Sequence, residues 1–269
     1  MFAILPTILS HLLAQIVSKS LTSLIAILGM NVPLAIAIVQ PAQALPEEQI
    51  LQKLRVVPIF TITMAKGTKG GRDFLWEGGG KSPKAPLFTR GFIGLPDAQN
   101  FLKTFQKAQP KEAKTAQISP VPLSAIYKMQ IEAKKKAQNV GFMFVPTELQ
   151  LKNALSILKE PYKNNVNYPV PLFFVTVKNN NQNVAVQKND TTQMFFDKQE
   201  AQEWLNTVKK GNPKLATTAQ ITVESLQNVL GSLYKLNDPA QKQIVFVPSR
   251  ENVAIVRKIQ AEQAKPAKK

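Results

Sequence analysis

The sequence predicts a mixed α/β (α+β) fold made of two copies of one unit, each with short strands packed on helices. Three observations predict it. The 269-residue chain is 44% hydrophobic and 19% charged, which is enough apolar material for a sizeable buried core. Short β-branched runs alternate with stretches whose apolar residues recur at helical spacing. Finally, residues 97–118 align without a gap on residues 200–221 at a shift of 103, with twelve of twenty-two positions identical.

Landmarks on both sides extend the repeat. Val57-Pro58-Ile59-Phe60 matches Val170-Pro171-Leu172-Phe173, Leu87-Phe88-Thr89 resembles Met194-Phe195-Phe196, and Phe144-Val145-Pro146 matches Phe246-Val247-Pro248. The copies then span residues 56–158 and 170–259 within a single domain, 45–269. Each opens on a strand, 59–63 or 172–177, where a leading Pro is tolerated because the first N–H need not join the ladder. A second strand carries Leu87-Phe88 or Met194-Phe195-Phe196. A helix follows from Pro96 or Lys198. Ala98, Phe101, Leu102 and Phe105 form one apolar stripe in it, which Ala201, Trp204, Leu205 and Val208 repeat. Pro110 and Pro213 end these helices.

Next come a strand at 116–118 or 220–223, a short helix at 123–130 or 223–234, and a strand at 141–145 or 243–247. The Pro after that strand opens a last helix, 147–158 or 249–259, at no cost, because its missing N–H would be unpaired there. Residues 66–86, rich in Gly, Lys and Pro, read as a mobile loop. Residues 159–167 link the copies, 179–183 read as an Asn-rich hairpin turn, and 261–269 form a basic tail expected to be disordered.

Residues 1–44 read as a cleavable signal peptide. A weakly polar start with His11 and Lys19 precedes an apolar run over 21–39, closed by Pro41-Ala42-Gln43-Ala44. The run is nearly long enough to cross a bilayer, so an uncleaved anchor is the competing reading. Cleavage would leave 33 basic against 17 acidic side chains, a formal +16, and a chain with neither His nor Cys. Imidazole bases, thiolate nucleophiles and the usual soft metal ligands are thereby absent. The excess charge suits an anionic partner such as a membrane surface. Nucleic acid is disfavoured, because Arg is scarce and the rings fall in apolar elements.

No motif supplies chemistry. Gly78-Gly79-Gly80-Lys81-Ser82 lacks the earlier Gly of a phosphate loop, having Leu75 there, and Pro83 follows it. Ser156 and Lys159 have the spacing of a serine–lysine pair without its partner motifs. Asp97 and Glu200 occupy equivalent first-turn positions, where the helix dipole accounts for them. Lys134-Lys135-Lys136 reads as a solvated helix end. The chain is therefore read as a non-enzyme without catalytic, cofactor or metal residues. What recurs is apolar surface. A groove between two packed copies would bind peptide segments, and Phe60, Phe88, Phe92, Phe101, Phe105, Phe173, Phe174, Phe196 and Trp204 are its candidate residues.

These landmarks resemble the Tic family, the twenty-two-kilodalton component of the chloroplast inner-envelope translocon and its cyanobacterial relatives. The resemblance runs from Val56 to Ile259 and is carried by Val57-Pro58-Ile59-Phe60, Asp97-Ala98-Gln99, Phe144-Val145-Pro146 and Val170-Pro171-Leu172-Phe173. Its most specific part is Ile244-Val245-Phe246-Val247-Pro248-Ser249-Arg250-Glu251. The resemblance implies pseudo-twofold-related repeats with apolar pockets and no catalysis. It also implies a protein-transport or chaperone role in the periplasm or thylakoid lumen (the plastid intermembrane space in a eukaryote). Expected partners are unfolded or precursor proteins, outer-membrane β-barrel proteins and their assembly machinery.

Overall fold

A computed structural model describes residues 45–66, 71–78, 85–158, 169–179, 182–235 and 239–263. The proposed signal peptide, the linker at 159–167, residues 79–82 of the Gly-rich motif and the end of the basic tail lie outside the described residues. The chain folds into two six-stranded mixed sheets with eight α-helices among the described residues.

In the first sheet β1 (Pro58–Lys66) runs antiparallel to β5 (Gln117–Pro122), from Pro58 opposite Pro122 to Thr63 opposite Gln117. Its other edge meets β4 (Leu87–Phe92) at Phe60–Phe92, and β4 runs parallel to β6 (Val140–Val145). Two short strands, β2 (Gly71–Phe74) and β3 (Glu77–Gly78), fill in beside β1 and β4. The stretch expected to be a mobile loop thus carries sheet. Its Gly78 has φ +94°, and a Cβ there would stand 2.6 Å from the Pro86 carbonyl, so only glycine fits.

The second sheet has the same strand order and pairing sense. β7 (Pro171–Asn179) lies between β11 (Ala219–Ser225) and β10 (Thr191–Phe195), and β10 is parallel to β12 (Ile244–Val247). β8 (Gln182–Ala185) forms the expected hairpin with β7, and β9 (Gln187–Lys188) pairs with β10. Asn189 and Asp190, both at positive φ, make that last turn, as a two-residue hairpin requires. The register corrects one alignment. Phe195 faces Phe173 and Val247 as Phe92 faces Phe60 and Val145, so Phe195 corresponds to Phe92, not Phe88.

Helices follow each strand set. α1 (Glu47–Leu54) precedes the first copy and went unforeseen. α2 (Leu95–Ala108) and α5 (Lys198–Gly211) carry the repeated stripe, and each is followed by a 3₁₀ turn, Glu112–Thr115 or Pro213–Leu215. α3 (Leu123–Lys135) corresponds to α6 (Leu226–Lys235), which starts three residues later than expected because Val223–Ser225 belong to β11. A short α7 (Pro239–Lys242) precedes β12. The closing helices are α4 (Glu148–Leu158) and α8 (Arg250–Gln263), the latter longer than expected.

One apolar cluster joins the copies. It gathers Ile50, Leu51 and Leu54 of α1, Ile59, Leu123, Ile126 and Tyr127 of the first copy, and Leu172, Phe196, Leu226, Leu230, Leu233 and Phe246 of the second. Burying each such side chain stabilises the fold by roughly 1.5–3 kcal/mol. The closing helices cross over. Ala154 and Ile157 of α4 pack with Phe173, Phe195 and Trp204 of the second copy, whereas Ile255 and Val256 of α8 pack with Phe60, Ile62 and Phe92 of the first.

Two buried amides fix that exchange. Gln150 on α4 donates to Asp197 Oδ2 at 2.8 Å and accepts from the Lys198 N–H at 3.0 Å. Asn252, its counterpart on α8, donates to the Ile93 carbonyl at 2.6 Å. Each amide is only 8% exposed, and each ties its helix to the strand–helix junction of the opposite copy.

Candidate functional site

A cavity of about 430 Å³ opens where the copies meet. Tyr127 and Gln130 of α3, Phe142, Met143 and Phe144 of β6, and Gln227, Leu230, Gly231 and Tyr234 of α6 line it. The volume lies in the range of small-ligand and side-chain pockets. Strand and helix periodicity place these residues together. Phe142 and Phe144 alternate onto one face of β6, and Tyr127 and Gln130 sit one turn apart on α3. Among the described residues β6 pairs only with β4, so its outer edge faces this side.

The cavity has a firm back and a basic rim. Phe142 meets Phe74 edge-on at 6.0 Å and Trp76 at 5.8 Å, so the rings of the β2–β3 segment brace it. Lys134 Nζ lies 5.8 Å over the ring of Tyr234, which is half exposed. Burial raises the Tyr127 hydroxyl above its usual range, with Tyr234 and Glu47 adding to it, so the phenol stays neutral. Lys135, the next member of the expected basic run, pairs with Glu47 of α1 at 3.0 Å.

The nine aromatic candidates divide by position. Phe60, Phe92, Phe173 and Phe196 are core residues, closed in because their strands are covered on that face by helices. Phe88, Phe101, Phe105, Phe174 and Trp204 are partly exposed, and none of the nine lines the cavity. Phe101 and Trp204 hold equivalent places, each capped by a cation. Arg90 lies 4.9 Å over Phe101 and is held by Glu77, whereas Lys188 lies 5.4 Å over Trp204. Sequence reasoning named none of the cavity's lining residues as candidates; only the expected helices at 123–130 and 223–234 and the strand at 141–145 pointed toward them.

The tested chemical motifs are used structurally. Asp197 caps α5, accepting from Gln199 N–H at 2.6 Å and Glu200 N–H at 3.3 Å. Glu200 and Glu203 engage Arg250. The Ser156 hydroxyl donates to the Asn153 carbonyl within its own helix at 2.7 Å. Among the described residues no group of three or more acidic side chains is placed to hold a metal ion. Among them, too, no helix is long and apolar enough to cross a membrane.

Fold and cavity define a class: a mixed α/β protein of two like-ordered sheets that share one core, exchange their closing helices and keep an apolar pocket at the junction. The chain belongs to the Tic22-like family, whose sequence model matches residues 9–258. It is similar to Anabaena Tic22, a structure described as protein transport, at 29% identity and a TM-score of 0.64, over 82% of this chain and 99% of that one. Tic22 from Plasmodium falciparum shares the fold at 19% identity and a TM-score of 0.55, over 79% of this chain and 98% of that one. No curated protein matches the chain.

Proposed function

We propose that this protein is an exported, non-enzymatic protein-transport factor that binds apolar segments of client proteins, as a chaperone would. Its place is the periplasm or thylakoid lumen, after removal of residues 1–44, and its clients include outer-membrane β-barrel precursors. The observation that carries this reading is the apolar cavity between Tyr127, Phe142, Phe144, Leu230 and Tyr234. Family membership and the protein-transport description of Anabaena Tic22 support it. Partly exposed Phe88, Phe101, Phe105, Phe174 and Trp204 would add contact area outside the cavity.

The test is suppression of aggregation of an unfolded β-barrel protein by the chain lacking residues 1–44. Protection that persists at high salt is expected, because apolar burial is not screened. An absence of both binding and protection would overturn the reading.

A second reading, a charge-docked adaptor at a membrane or assembly machinery, is favoured by a different observation. Lys107 in the last turn of α2 and Lys111 at the 3₁₀ turn after it correspond to Lys210 and Lys214 at the end of α5 and in its 3₁₀ turn, and none is in an ion pair with a described carboxylate. Binding that falls steeply between low and physiological salt would favour it over the first.

A further inference from the structure

We infer that the open cavity receives a short amphipathic α-helix from a client protein, seated as α1 is seated in the corresponding groove of the other half. The inference rests on the client-binding reading and names the form the client takes there.

The two grooves have corresponding walls. Strand order and a shift of 102–103 residues carry Phe142 and Phe144 of β6 onto Ile244 and Phe246 of β12, and Tyr127 of α3 onto Leu230 of α6. The open cavity is bounded by β6 and α6, with Tyr127 and Gln130 of α3 also lining it. Its counterpart is bounded by β12 and α3, and α1 packs against both of these. Ile50, Leu51 and Leu54 of α1 enter one cluster there with Tyr127, Leu230, Ile244 and Phe246. An apolar triplet at i, i+1 and i+4 is the one-sided stripe of a helix laid in a groove.

The polar contacts of α1 say what else the occupant carries. Lys53 Nζ donates to the Lys242 carbonyl, at the end of α7, at 2.8 Å and to the Ile244 carbonyl, on the outer edge of β12, at 2.7 Å. On β6 the carbonyls of Asn139 and Val145 serve β4, so alternation turns those of Val140 and Phe142 outward at the matching places. A lysine three residues after the first apolar anchor would satisfy them. Glu47 begins α1 and pairs with Lys135, and the open cavity has Lys134 on its rim, so carboxylates in the first turn are favoured there too. The occupant is therefore a helix of about two turns, acidic at its start, with Ile or Leu at i, i+1 and i+4 and Lys at i+3.

The probe is a labelled peptide of residues 46–55, capped at both ends, titrated into the folded chain and followed by fluorescence anisotropy. Gly231 supplies the control. It lines the cavity, and a Cβ there meets nothing within 4 Å, so Gly231→Trp projects a ring into the space from an unobstructed Cβ and improves helix propensity. Saturable binding is expected, at least about tenfold weaker on Gly231→Trp at unchanged melting temperature, and weakened as much by Leu51→Pro in the peptide. Three results would overturn the inference. They are no saturable binding up to about millimolar peptide, equal binding to Gly231→Trp, and equal binding of the proline peptide, which would indicate an extended occupant on the β6 edge. If aggregation suppression persists while the peptide does not bind, the helical form falls and the client-binding reading stands; loss of both removes both.

Discussion

The two halves of this molecule offer corresponding grooves, and only one holds a helix. Both are walled by an edge strand and a helix drawn from equivalent elements, β12 with α3 in one case and β6 with α6 in the other. The difference follows from chain order. α1 lies immediately before the first copy and is tethered beside β12, whereas no equivalent segment among the described residues is seated on β6. A similar contrast runs through the helix starts. Asp197 caps α5 with its side chain, but its counterpart Gly94 cannot, since a Cβ there would lie 2.7 Å from Thr147. What the halves share holds the sheets and the exchanged helices together. What they do not share sets where a ligand can enter and which charges meet.

The comparison breaks most directly in the two clusters where an exchanged helix closes each sheet. Phe60 and Phe173 are equivalent, fully buried rings, one in each sheet. Truncating either to Ala is expected to cost about 3–5 kcal/mol. Because one cluster spans both copies, urea unfolding of either variant is expected to remain a single transition reported alike by both tryptophans. A second transition confined to the mutated half would show that the copies unfold independently.

The crossed helices give a smaller effect with a built-in ranking. Gln150→Ala strands Asp197 Oδ2 and the Lys198 N–H, while Asn252→Ala strands only the Ile93 carbonyl. Losses of about 1–3 kcal/mol are expected, with Gln150 the larger. Denaturation midpoints of the single and double variants test this. Losses that add would mean two separate latches, and a double variant no worse than Gln150→Ala would mean one.

The elements of each half were legible because their signals are local. Prolines and stripe residues such as Phe101 and Trp204 recur whatever they pack against. The exchange of α4 and α8 was not legible, since a helical stripe reports that a face is buried but not which sheet buries it. The β2–β3 strands hid in a Gly- and Lys-rich stretch whose composition favours a loop, although Phe74 and Trp76 in it brace the cavity. The same limit explains the aromatic candidates. Periodicity marks Phe60 and Phe173 as apolar on a sheet face, and only the packed helices decide that this face is closed. The cavity lies between copies, and its Gly231 and Met143 belong to no motif, so they emerge only when α6 is set beside β6.

The smallest expected effect concerns charge at equivalent helix starts. In the second copy Glu200 meets Arg250, whereas in the first copy Asp97 faces Glu148, which occupies the position of Arg250. Burial, chiefly, and then the Glu148 charge hold the Asp97 carboxyl above its ordinary 3.8, against a backbone hydrogen bond that pulls it down. The folded chain therefore keeps that proton more tightly than the unfolded one. Its contribution to stability is complete below the ordinary value and is lost as pH rises through the raised one. Glu148→Arg gives the first copy the arrangement of the second and removes the repulsion. Carboxyl NMR titration of Asp97 is expected to show a lower pKa in the variant, and urea midpoints should fall less as pH rises through the Asp97 transition, since burial still raises the group. If the Asp97 titration does not move, burial alone sets it, and the opposite charges at positions 148 and 250 have no bearing on how the two halves differ.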